Sequence, residues 1–171
     1  MEKALKIVNI LVEKGIIAGY AIGGGVAASY YGESTMTYDL DLFVYFKDAD
    51  KAILSLSSIY DFLVTLGYQP AHEGILIEGV DVQFLPPYND LIIEAARESQ
   101  SIIYQGVPTN ILKLEYLIAI IVQTFRPKDQ VRVLNLLSME EDLKVEINRD
   151  LLFSILDRYQ LKDKWNELAR K

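Results

Sequence analysis

Hydrophobic and polar positions change period along the chain in a way that divides it into elements. From Glu2 to Lys14 the apolar residues Ala4, Ile7, Val8 and Leu11 recur at helical spacing, and Gly15 closes the turn. Ile16–Ile22 reads as an apolar strand, followed by Gly23, Gly24 and Gly25 and by a short helix of small residues to Tyr31, where Gly32 stops it. Thr37–Phe46 alternates as a second strand, and Asp48 or Asp50 caps a helix over Lys51–Leu66 with the stripe Ile53, Leu56, Tyr60, Leu63, closed by Gly67. Gly74–Ile77 and Val80–Leu85 form a hairpin around Glu78-Gly79, ended by Pro86-Pro87. Leu91–Glu98 reads as a helix, and Ser101–Gln105 with Val107–Asn110 as a small hairpin around Gly106.

From Ile111 the pattern turns helical. Ile111–Phe125 carries Leu114, Leu117, Ile118 and Ile121, and Pro127–Leu137 carries Val131, Leu134 and Leu137 with Pro127 in a first turn. The acidic run Glu140-Glu141-Asp142 breaks the pattern; Asn148 then caps Arg149–Tyr159, and Lys162–Arg170 adds a last turn or two, with Trp165 read as core.

The chemistry concentrates in Ala21–Phe46. Side chains two apart on a strand share a face, so Asp39 and Asp41 lie together while Leu40, Leu42 and Val44 take the other face. Two adjacent carboxylates repel, and the natural counter-charge is a hard divalent cation such as Mg²⁺, which accepts carboxylate and phosphate oxygens together. A glycine turn that opens a helix brings backbone close to a ligand and leaves N–H groups unpaired, an arrangement that attracts phosphate. Cradle and carboxylates together describe a site for a nucleoside triphosphate. Read without that pairing, the glycines are a plain strand-to-helix turn and the aspartates are strand-end caps.

Gly24-Gly25, thirteen intervening residues and then Asp39-Leu40-Asp41-Leu42 resemble the core motif of the nucleotidyltransferase superfamily with the DNA polymerase β-like fold. Within that superfamily the chain looks most like the minimal and abortive-infection toxin-type enzymes. The resemblance implies an α/β fold of short mixed sheet and flanking helices, with residues 1–110 as the nucleotidyltransferase core. Residues 111–171 are a helical C-terminal part packed onto it as one compact unit. It implies a third carboxylate on a neighbouring strand, matched by Asp81, with Gln83 on the same face; read alone, Asp81 is also a turn aspartate after Gly79. On this reading Asp39, Asp41 and Asp81 are catalytic and hold one or two Mg²⁺, and Asp81 orients or deprotonates the acceptor hydroxyl. Backbone near Gly24, Gly25 and Ser29 takes the β- and γ-phosphates. Arg126-Pro127-Lys128-Asp129 matches a further R-x-K-D stretch at a C-terminal helix start, where Arg126 and Lys128 meet phosphate and Asp129 caps the helix or pairs with Arg126.

Three positions depart from the pattern. Thr35 stands where an arginine is frequent, Ile121 where a lysine is, and Arg132 where a later aspartate is. The reaction implied is transfer of a nucleoside monophosphate from an NTP to a hydroxyl on an RNA such as tRNA, on a protein or on a small molecule. An antitoxin is the expected partner in a toxin–antitoxin or phage-defence pair. The competing reading is a nucleotide-binding or protein-interaction module that kept the fold and lost turnover.

Composition narrows the setting. With 171 residues and 51% hydrophobic content the chain is long enough for a real core. It has no cysteine, which excludes disulfides and thiolate metal sites. The start lacks a basic stretch and unbroken apolar run, and no membrane span is expected, so the reading is a soluble cytoplasmic protein. Net charge is −7, unevenly spread. Residues 1–112 hold six Lys/Arg against fourteen Asp/Glu, and residues 113–171 eleven against ten. Attraction for a nucleic acid must therefore come from the C-terminal part and from metal. His72, the single histidine, reads as a loop residue without a catalytic role, and Tyr30, Tyr31 and Tyr38 as packing.

Overall fold

The structure is a computed structural model that describes residues 1–33, 37, 39–47, 52–71, 73–138 and 146–168. Thr35, Tyr38, Asp48, Asp50, His72 and Glu140–Asp142 lie outside the described residues, as does the Ile53 side chain.

Seven strands form one sheet: β1 (Gly19–Ile22), β2 (Asp39–Tyr45), β3 (Pro70–Ala71), β4 (Gly74–Ile77), β5 (Val80–Leu85), β6 (Gln100–Tyr104) and β7 (Val107–Ile111). Their order is β3-β4-β5-β2-β1-β7-β6. The pairs β2–β5 and β1–β7 are parallel and the others antiparallel, so the sheet is mixed. Both hairpins turn as their sequences require, with Glu78-Gly79 and Gln105-Gly106 all at positive φ.

The helices are α1 (Glu2–Glu13), α2 (Gly24–Tyr31), α3 (Ala52–Thr65), α4 (Asp90–Arg97), α5 (Leu114–Thr124), α6 (Pro127–Ser138), α7 (Arg149–Arg158) and α8 (Lys162–Leu168). Asn89 and Asn148 cap α4 and α7 by accepting from the N–H groups of Ile92 and Leu151. Helix α5 is the hub. Every residue from Leu114 to Val122 is buried, as expected of a helix apolar on all sides, and it packs against α2, α4, α6, α7 and α8. Its one buried charge, Glu115, accepts the backbone N–H of Asn148 at 2.8 Å and so ties α5 to the start of α7.

Beyond shifts of a residue or two at element ends, four features differ from the sequence expectations. The apolar run from Ile16 pairs only from Gly19, because Ile16 and Ile17 bond back to Leu11 and wrap the end of α1. Ile111 belongs to β7, pairing with Ile22, and α5 starts only after Leu112-Lys113. The short strand β3 was not anticipated, since two residues around a proline carry no alternation. In α6 the buried positions are Asp129, Val133 and Leu136, while Val131 is exposed, so the stripe is rotated from the expected one.

A polar knot ties the helical side together. Glu94 of α4 accepts hydrogen bonds from the Tyr116 hydroxyl at 2.6 Å, from Arg158 and from Tyr159, bridging α4, α5 and α7. Burial works against the Glu94 charge, but these three donors outweigh it and hold its pKa below the usual carboxylate range. Burial first, and then the bond to Glu94, pushes the Tyr159 hydroxyl up to about 12. A lowered folded-state pKa contributes stability above the unfolded-state value and loses it as pH falls through the folded value. Glu94→Gln is therefore expected to lose about 1–3 kcal/mol at pH 7. Urea unfolding followed from pH 7 to pH 3 checks this, the difference from wild type closing in acid.

Candidate active site

The site is built where β1 hands the chain to α2. Gly23 caps α2 in an extended conformation, and Gly24, the first helical residue, has a φ of +54°. A side chain there has no room. A Cβ on Gly24 would lie 1.8 Å from Asp41 Oδ2, and one on Gly23 would lie 2.2 Å from the Phe43 ring. The glycine turn is thus shaped around strand β2, and the carboxylate of Asp41 rests against bare backbone. Gly25 is buried, with Thr37 where its side chain would be. Ser29 is exposed in the second turn of α2, where the N–H is spent on the carbonyl four residues back. The N–H groups left for a ligand are those of the first turn, nearest Gly24, and not those near Ser29.

Strand register settles which carboxylates share a face. In the parallel pair β2–β5, Asp39 stands beside Asp81 and Asp41 beside Gln83. All four side chains therefore lie on one face of the sheet. They do not all reach the same space. A cleft of about 640 Å³ opens on that face, within the range of small-molecule sites, and Asp39, Asp41, Gln83, Glu73 and Gly24 line it while Asp81 does not. The Asp81 carboxylate turns toward Gly74, its Oδ1 lying 2.7 Å from where a Gly74 Cβ would be, and that oxygen is buried with no hydrogen-bond partner among the described residues.

The opposite wall comes from α5 and α6. Leu117, Ile120 and Ile121 of α5, with Tyr88, are its apolar part and Arg126, Lys128 and Arg132 its cationic part; Phe43 and Leu85 lie on the sheet face with the carboxylates. Two of those cations are fixed by carboxylates. Arg126 donates to Asp129 at 2.6 Å, and Asp129, only 3% exposed, also accepts from Thr124 at 2.8 Å. Burial disfavours the Asp129 charge, yet these donors prevail and its pKa is lowered. Asp129 therefore pairs with Arg126, one of the two roles open from sequence. Arg132 donates Nε to Glu33 at 2.9 Å.

Electrostatics mark Asp41 as the strained member. Burial, and then the neighbouring charge of Asp39, raises its pKa, and Arg132, Lys128 and Arg126 act in the opposite sense without cancelling that. Among the described residues no group of three His, Cys, Asp or Glu side chains is gathered closely enough to hold a metal ion by itself. Asp39 and Asp41 are nonetheless two hard oxygen donors in need of positive charge. Mg²⁺ takes one or two carboxylates and completes its shell with water and substrate phosphate, so the pair fits that ion and a closed protein cage is not required.

Comparison with known proteins gives the fold. No protein-family model matches the chain, and no curated protein matches its sequence. Among solved structures, an antigenic nucleotidyltransferase-like protein from Paracoccidioides brasiliensis superimposes with a TM-score of 0.57 over 99% of this chain and 94% of that one, at 15% identity. The fold is that of a nucleotidyltransferase. The antibiotic-resistance factor ANT(2'')-Ia aligns over 94% of this chain and 98% of its own, at 16% identity and a TM-score of 0.43, too loose to add to the assignment. Gly24 and Asp41 meet because β1, α2 and β2 form one unit with the turn facing the strand. No helix among the described residues is long and apolar enough to cross a membrane.

Sequence reasoning missed most of the second wall. Arg132 stood out only as a departure, and its partner Glu33 is 99 residues away, with no local pattern to join them. Leu117, Ile120 and Tyr88 had no signal beyond hydrophobicity.

Two substitutions follow from this geometry. Gly24→Ala is expected to cost at least about 1 kcal/mol through the left-handed backbone alone, and more through the clash with Asp41, measured as a lower urea midpoint. A carboxylate with a raised folded-state pKa destabilises the fold as pH rises through that value, and does so least below the unfolded-state value. Asp41→Asn is therefore expected to melt at a higher temperature than wild type at pH 7 without divalent ions. The gap should close toward pH 3, read by calorimetry in EDTA.

Proposed function

We propose that the protein transfers a nucleoside monophosphate from an NTP to a hydroxyl acceptor. The observation that carries this reading is one cleft with Asp39 and Asp41 on one wall and Arg126, Lys128 and Arg132 on the other. An NTP needs both, a metal-bearing carboxylate pair and cations along its phosphates. Asp39 and Asp41 would hold Mg²⁺, which when bound neutralises the phosphate charge that builds up in the displacement. First-turn N–H groups near Gly24 and the cations of α6 orient the β- and γ-phosphates. The apolar surface of Leu117, Ile120 and Tyr88 excludes water beside them.

In the transfer itself the acceptor oxygen forms a bond to the α-phosphorus as the bond from that phosphorus to the bridging oxygen breaks. Pyrophosphate departs with the electron pair, and the hydroxyl proton is released to solvent. Positioning and charge neutralisation carry most of such a reaction. Asp81 keeps a place beside Asp39 in the ladder, with one carboxylate oxygen that has no hydrogen-bond partner among the described residues. The acceptor is an RNA end, a protein side chain or a small molecule, and the toxin-type resemblance favours a toxin held in check by an antitoxin.

A second reading has one specific observation behind it. Asp81 turns away from the cleft, as suits a binding module that has lost turnover. Calorimetric titration of ATP, GTP, CTP and UTP, each with and without Mg²⁺, tests the site. We expect Mg²⁺-dependent binding of at least one NTP, lost in Asp39→Asn/Asp41→Asn. A folded wild type that binds none would overturn the proposal. Binding with no pyrophosphate release against any acceptor would favour the module.

A further inference from the structure

Arg132 enters the cleft in an unusual setting for a surface helix. It belongs to α6, lines the cleft, and is held from the far side by Glu33, just past the end of α2, whose side chain is only 9% exposed. The contact uses Nε alone. Nη1 and Nη2 make no hydrogen bond to any described residue, so four N–H donors of a planar fork remain. Asp39 and Asp41 line the same cleft as this arginine.

A surface ion pair is normally an ordinary stabilising contact worth little. This one differs in two respects. It ties the end of the helix that begins at Gly24 to the cationic wall, and it holds an arginine in the cleft that Asp39 and Asp41 also line. A guanidinium anchored through Nε presents its remaining edge as a bidentate phosphate receptor, and anchoring removes part of the ordering cost of binding.

We propose that Arg132 is a phosphate-chain ligand of this cleft and that Glu33 is its positioning residue. Arg132 is then a specificity element for triphosphate over monophosphate. The inference rests on the reading of the cleft as an NTP site.

The test separates the two. Mg²⁺-dependent binding of ATP, AMP and inorganic tripolyphosphate is measured by calorimetry for wild type, Arg132→Gln, Arg132→Lys and Glu33→Gln, with near-UV circular dichroism to establish folding. We expect Arg132→Gln to weaken ATP and tripolyphosphate about tenfold or more while AMP changes little. Arg132→Lys, which keeps the charge without the fork, should fall between. Glu33→Gln, which leaves the arginine in place but loosens it, should lower the ATP-to-AMP ratio in the same direction. A merely structural pair would shift all three probes together or none, and either result overturns the inference while leaving the NTP site intact. Should Arg132→Gln not fold, Arg132→Lys and Glu33→Gln carry the same ratio test. Absence of binding by folded wild type overturns the underlying reading and the inference with it.

Discussion

Asp41 has room for its carboxylate only because residue 24 has no side chain. That close approach fixes the path of the turn after β1, the start of α2 and the lateral position of β2 at once. The turn backbone is left-handed at Gly24, so the local conformation and the contact demand the same residue. Once β2 is set, its parallel ladder with β5 places Asp39 beside Asp81 and Asp41 beside Gln83, and one face of the sheet becomes acidic. The fold accepts an electrostatic penalty at this point, visible in the raised pKa of Asp41, and offsets part of it with cations delivered from the other end of the sequence. Penalties of that kind are characteristic of sites kept ready for a charged ligand.

Much of the sheet half was legible because its signals are local. Period-two alternation placed Asp39 and Asp41 on one face, and Glu78-Gly79 and Gly106 announced their hairpins through residues that tolerate positive φ. The three glycines marked the turn, although only Gly24 touches the cleft, with Gly23 and Gly25 making room for Phe43 and Thr37. Ser29 was assigned by nearness in sequence, and a helix of 3.6 residues per turn carried it away to solvent.

The helical wall was less legible. Helix α5 is buried on all sides, so no polar face reveals its orientation, and which of its residues meet the cleft depends on packing against five other helices. Ile111 shows the same limit. Its apolar neighbours suit either a helix start or a strand end, and the choice is made by a long-range partner, Ile22. The Arg132–Glu33 pair is longer in range still. Arg126 and Lys128, by contrast, were found because a short motif at a helix start reports its own position.

The joint between α5 and α6 governs the shape of the cleft. Only Phe125 and Arg126 separate the two helices. Phe125 is left-handed, Pro127 fixes the next φ, and Asp129 clasps both Thr124 and Arg126 across the bend. The cationic wall hangs from this elbow like a bracket, at an angle set by Phe125, Pro127 and the clasp of Asp129 on Thr124 and Arg126. Rebuilding this corner alone changes the size of the cleft while leaving the carboxylates and the glycine turn as they are.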